Sequence, residues 1–134
     1  MFFAVNSVVT NNFTDENMIN KIKALWQDAQ AKLTDNSGCV YGIYHHYQND
    51  YRGDYTLSIA VDHPIKHFSA IINPNPIDSY AVFEVNSNHE DKIYQTWQHI
   101  WALEQDHKII RAYDVDFEKY YPDGRVEIYI SLLK

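Results

Sequence analysis

The sequence predicts an α+β domain: duplicated β-α-β-β modules with pseudo-two-fold symmetry, two helices on a mostly antiparallel sheet, and a central groove between the halves. Three observations point there. A helix-period stripe, Met18, Ile19, Ile22, Leu25, Trp26 and Ala29, recurs with the same spacing as Ile93, Tyr94, Trp97, Ile100, Trp101 and Glu104, every pair offset by 75 positions. Each stripe is followed by an aromatic strand-like run, residues 43–47 and 116–120, offset by 73 positions. The alternating apolar runs are joined by short polar connections, which favour hairpins and antiparallel pairing. At 134 residues the chain reads as one domain, with 1–62 as the first repeat and 63–134 as the second.

The elements follow in order. Residues 2–10 are apolar and β-branched and read as a strand. Thr14 is a suitable N-cap, and Asp15 and Glu16 place acid where a helix dipole favours it, so a helix runs from there to about Leu33. Asp35-Asn36-Ser37-Gly38 stops it. Residues 40–47 form a strand, 48–54 a polar hairpin loop, and 55–61 a strand with Tyr55, Leu57, Ile59 and Val61 on one face. In the second half, 67–72 is a short strand and Asn73-Pro74-Asn75-Pro76 a turn, because neither proline can donate to a ladder. Residues 80–85 are a strand. Ser87 and Glu90 have the spacing of a capping box before a helix over about 88–105. Strands over 112–120 and 126–132 close the chain around a Pro122-Asp123-Gly124 turn.

Composition narrows the function. Aromatic content is 15%, mostly from 11 Tyr, the residue for surfaces apolar on one side and polar on the other. A formal net charge of −7 argues against direct nucleic-acid binding and favours cationic partners. Cys39 is alone, which fits a reducing, cytoplasmic setting. Residues 1–5 lack the basic flank and length of a signal segment or membrane span. Asn12-Phe13-Thr14 matches a glycosylation sequon but reads as a turn. His45 and His46 point to opposite strand faces, Pro64 separates His63 from a helix with His67, and His99 and His107 do not share a face well, so no metal site is expected. No nucleophile elbow is present, and Cys39 has no evident base.

The chemistry concentrates on the 116–120 strand. Asp114, Asp116, Glu118 and Tyr120 alternate on one face, opposite Val115 and Phe117. At the 73-residue offset Glu118 matches His45, flanked by Tyr44 and Tyr47. Tyr47 and Tyr120 share the parity of Glu118 and can face the seam, while Tyr44 and Phe117 are expected under the helices. Trp101 is the tryptophan expected in the groove. Trp26 and Trp97 read as core. Phe83 and Tyr80 are further candidates. Glu104 stands where the first stripe has Ala29, and reads either as an exposed helix end or as a second acid near the pocket.

The segments Tyr80-Ala81-Val82-Phe83-Glu84-Val85, Trp97 with Ile100-Trp101, Arg111-Ala112-Tyr113, Asp116-Phe117-Glu118-Lys119-Tyr120 and Val126-Glu127-Ile128-Tyr129-Ile130 resemble the GyrI-like effector-binding domain family. That family supplies the sensor half of some AraC-type and MerR-type transcription regulators. The resemblance spans nearly the whole chain, including residues 42–61. It implies a duplicated fold whose groove holds a glutamate among aromatic rings and takes lipophilic cations, with Glu118 at the matching position. The layout resembles stand-alone members, including drug-binding proteins of integron cassettes, and no DNA-binding segment is expected within these 134 residues.

Physical chemistry supports that reading of Glu118. A carboxylate walled by Tyr and Trp is poorly solvated, so its pKa should rise, and an organic cation restores its partner. Two other readings stay open. GyrI-like proteins that act on reactive electrophiles would use Glu118 as a general base. An acidic inhibitor would instead bind a basic protein partner, with strong salt dependence. A partner protein or homodimer is open in either case, and no cofactor is expected.

Overall fold

The computed structural model describes residues 1–85 and 89–133. Its first strand, β1 (Phe2–Thr10), is aromatic and β-branched and carries an irregularity between Ala4 and Asn6. Helix α1 (Met18–Lys32) starts later than Thr14 would have set it. The polar groups between are used in turns: the Asn11 side-chain oxygen accepts from the Phe13 and Thr14 N–H groups at 2.8 and 3.1 Å, and the Asp15 carboxylate from the Asn17 N–H at 2.9 Å. Strands β2 (Val40–His45) and β3 (Tyr55–Val61) follow, then the short β4 (Ala70–Ile72). A 3₁₀ turn at Ile77–Ser79 leads into β5 (Tyr80–Val85).

Helix α2 (Glu90–Gln105) opens with Glu90 and Asp91 in its first turn, and His89 accepts from the Asp91 N–H. The expected cap at Ser87 lies outside the described residues. Strand β6 (Asp116–Tyr120) is shorter than predicted. Arg111 keeps one bridge to Leu132, and Tyr113 sits at φ 53, which breaks the run before Asp116. Strand β7 (Val126–Ser131) ends the sheet-forming chain.

Among the described residues, seven strands form one antiparallel sheet in the order β4-β1-β3-β2-β6-β7-β5. Without β4, which pairs with β1, this order is mirrored about the β2–β6 seam. The register identifies the repeat. Val8, Leu57 and Tyr44 lie in one row across the first half, and Phe83, Ile128 and Glu118 in the matching row of the second. Val8 and Phe83 differ by the helix offset of 75, but the strand match is Tyr44 with Glu118, not His45 with Glu118. The 73-residue offset of the aromatic runs is thus one residue out of phase with the strands. In a strand, one residue changes the face.

Helices cover one face. Leu25 and Ala29 of α1 pack on Tyr55, Leu57 and Ile59 of the sheet, and Trp97 and Ile100 of α2 pack on Val126, Ile128 and Ile130. The opposite face buries Phe2, Tyr41, Ile43 and Phe117. Phe117 was expected beneath the helices; instead it stacks on Tyr129 at 4.5 Å on the far side. Tyr44 takes the helix side, 5.1 Å ring to ring from Trp97. Among the described residues, no helix is long and apolar enough to cross a membrane.

Candidate functional site

The ladder between the halves pairs Val40 with Tyr120, Gly42 with Glu118 and Tyr44 with Asp116. Glu118 therefore rises from the seam on the helix face, between Trp26 of α1 and Trp97 of α2. The glycine opposite makes room for it: a Cβ at Gly42 would stand 3.3 Å from both the Glu118 Oε1 and the Trp26 ring. Glu118 is only 4% exposed. Its carboxylate accepts from the Trp97 indole N–H at 2.7 Å, the Tyr120 hydroxyl at 2.7 Å and the Tyr44 hydroxyl at 3.0 Å. Trp26 closes edge-on against Tyr120 at 5.1 Å.

All three donors are neutral. No cationic side chain forms an ion pair with Glu118 among the described residues. Burial raises its pKa above the usual carboxylate value, and the bonds from Tyr120, Trp97 and Tyr44 work against that rise. Burial and the neighbouring carboxylate push the Tyr44 and Tyr120 phenols upward. The seam is thus packed with aromatic rings around one carboxylate.

A second polar group adjoins it across Trp97. Asp116 is fully buried and accepts from Arg111 Nη2 at 2.8 Å, the Tyr47 hydroxyl at 2.6 Å, and the Ser131 N–H and hydroxyl at 2.7 and 2.8 Å. The Arg111 guanidinium lies over the Tyr113 ring at 4.3 Å and 5.9 Å from the Trp97 ring. Glu104, at the end of α2, accepts from the Tyr113 hydroxyl, and its Oε1 lies 3.7 Å from Arg111 Nη1. Arg111 is thereby committed to Asp116 and does not neutralise Glu118.

The residues singled out in the sequence divide between these places. Glu118 and Tyr120 come together, with Trp97, Tyr44 and Trp26 completing the group. Tyr47 and Glu104 belong to the Arg111–Asp116 network beside it. Trp101 is half-buried, 6.4 Å ring to ring from Trp97. Phe83 packs towards His99 at 6.3 Å within the α2 core. Tyr80 and His45 are not with Glu118. Tyr80 is packed against Phe117 on the far face and donates to the Val115 carbonyl at 2.8 Å. The His45 ring is 2.8 Å from the Ser58 hydroxyl, and burial beside His46 lowers its pKa to about 4. Asp114, expected beside Glu118, lies outside β6 and accepts from the Asn75 side chain.

The sequence pattern does not mark Trp97, Tyr44 or Trp26 as neighbours of Glu118. A tryptophan at helical spacing reads as core, and Trp97 is core, yet its N–H needed a buried acceptor. Arg111 stands in the sequence five residues ahead of the acid-bearing strand, close behind Lys108. The two surface hollows described lie elsewhere: about 970 Å³ between the end of α1 and residues 63–69, and about 470 Å³ around Asp15.

Comparison with known proteins agrees with this architecture. A family model described as Cass2, integron-associated effector binding protein, matches residues 2–132. No curated protein sequence matches the chain. Among solved structures, an integron cassette protein from the mobile metagenome of Vibrio cholerae superposes with a TM-score of 0.73 at 22% identity, covering 99% of this chain and 90% of that one. SAV2435 bound to tetraphenylphosphonium superposes with a TM-score of 0.67 at 15% identity, covering 99% and 88%. Both likenesses are of fold.

Proposed function

The chain belongs to the Cass2 family of integron-associated effector binding proteins, and from that premise we propose that it binds amphipathic cations, with Glu118 as their counter-charge. One observation carries the reading. Glu118 is 4% exposed, ringed by aromatic side chains, and held by three neutral donors, with no cation paired to it among the described residues. Such a group is poorly compensated in its charged form. A lipophilic cation supplies the missing charge, and the faces of Trp26, Trp97, Tyr44 and Tyr120 add roughly 0.5–2 kcal/mol for each ring well placed against it. The fold shared with a protein bound to tetraphenylphosphonium supports the same ligand class. The rings fill the seam, so a ligand enters by displacing them, with Trp26 and Trp97 as the movable wall.

The test is a titration of tetraphenylphosphonium and of neutral triphenylphosphine oxide against the native protein and Glu118→Gln. The native protein should prefer the cation, and Glu118→Gln should lose that preference and at least about ten-fold in cation affinity. Native affinity for the cation should also fall as the pH drops through the raised Glu118 pKa, because protonation removes the counter-charge. Strong, equal cation binding by both proteins would remove Glu118 from the site. A carboxylate with a raised pKa is also suited to general-base work, so the same samples are incubated with a reactive epoxide. Binding without Glu118-dependent turnover is the expected result.

A further inference from the structure

Away from Glu118, one group of rings is largely left out of the core. Phe13, in the β1–α1 connection, and Tyr94, on α2, are 57% and 56% exposed. Neither they nor Tyr51, in the β2–β3 hairpin, joins any of the three core clusters. All three converge on Trp101. Tyr51 lies nearly parallel to it at 5.7 Å and 20°, Phe13 at 6.1 Å and Tyr94 at 6.0 Å. Phe13 and Tyr51 also meet edge-on at 5.9 Å. Large rings exposed together, rather than scattered, mark a surface built for contact.

The cluster has a direction. Trp101 leads to Trp97 at 6.4 Å, and Trp97 donates to Glu118 at 2.7 Å. A path of aromatic faces thus runs from solvent to the buried carboxylate. Phe13 and Tyr51 come from loops of the first half, and Trp101 and Tyr94 from the helix of the second, so the cluster closes across the seam. The Gln105 side-chain amide donates to the Tyr51 hydroxyl at 2.9 Å, and the Arg52 guanidinium covers that ring at 5.6 Å. Tyr51 thus meets Gln105 and Arg52 as well as Trp101, and Arg52 is itself paired with Asp50 at 2.6 Å.

We propose that Phe13, Tyr51, Tyr94 and Trp101 form an outer aromatic subsite that takes an aryl ring of a multi-ring cation whose charged centre is held at Glu118. This rests on the function proposed above and adds a basis for selectivity within it. Glu118 selects for charge. The outer rings select for aromatic extent, because a stacked or edge-on ring gains more here than an alkyl chain of similar bulk. Admitting a flat ring between Tyr51 and Trp101 requires about 7 Å between their planes, two aromatic contacts of about 3.5 Å each. The hairpin that carries Tyr51 must therefore swing outward on binding.

The experiment compares tetraphenylphosphonium with tetrabutylphosphonium, equal in charge and lacking rings, by calorimetric titration. The proteins are the native chain, Phe13→Ala/Tyr51→Ala and Glu118→Gln, each checked for an unchanged circular dichroism spectrum. Phe13→Ala/Tyr51→Ala should lose about ten-fold in affinity for the aryl cation and less than about two-fold for the butyl cation. Glu118→Gln should weaken both. If Phe13→Ala/Tyr51→Ala binds the aryl cation as the native protein does, or loses both cations equally, the subsite is overturned while the role of Glu118 stands. If the native chain binds neither cation, the functional reading fails, and the subsite fails with it.

Discussion

Glu118 and His45 are both buried, and their protonation equilibria pull stability in opposite directions. Burial raises the folded-state pKa of Glu118 above the usual 4.5. The folded protein therefore holds that proton more tightly than the unfolded chain, and stability falls as the pH rises from about 4.5 through the raised value. Burial and His46 lower His45 from 6.5 to about 4, so the unfolded chain takes up that proton first and stability falls as the pH drops from 6.5 towards 4. Thermal melts of the ligand-free protein across this range should show Glu118→Gln gaining on the native chain at neutral pH, with the gain vanishing in acid. His45→Gln should flatten the acid-side decline, with the Gln amide able to keep the bond to Ser58. The sequence made Glu118 legible, because acids and aromatic residues alternate around it. It did not make Trp97 or Tyr44 legible as its partners. Both look apolar in a pattern, and the single polar atom on each ring finds its acceptor only once the two halves are docked.

At the level of elements, the α2–β6 connection is held by one buried hub. Asp116 takes the Arg111 guanidinium, the Tyr47 phenol from the other half, and both polar hydrogens of Ser131. Arg111→Met should leave that carboxylate buried and unpaired and cost about 3–5 kcal/mol in urea unfolding. Tyr47→Phe removes one of its several donors and should cost about 1–2 kcal/mol. The near match of loss between these two substitutions would show that the ion pair is not the hub. Both helix stripes, and the strands β1, β3 and β5, were legible from periodicity. The strand match across the repeat was not. Aromatic residues occupy both faces of β2 and β6, so matching rings to rings sets no phase, and the one-residue shift sent His45 to the wrong side of the sheet. β6 is shorter than its pattern predicts, because the left-handed backbone at Tyr113 leaves no mark in an apolar-polar pattern.

For the whole molecule, the sheet is continuous through the β2–β6 ladder, and Glu118 and Asp116 each bind side chains from the first half. The halves should therefore unfold together. Far-ultraviolet circular dichroism and tryptophan fluorescence should give coincident denaturation curves, and separated transitions would mean that the modules stand independently. The register has one more consequence. The local dyad passes through the Ile43–Phe117 pair, so Tyr44 and Glu118 occupy equivalent places and are hydrogen-bonded to each other. Two identical half-length subunits would put phenol against phenol, or carboxylate against carboxylate, at that spot. A single polypeptide can place a donor on one side and an acceptor on the other, and so present a bound molecule with a polarity that strict symmetry forbids.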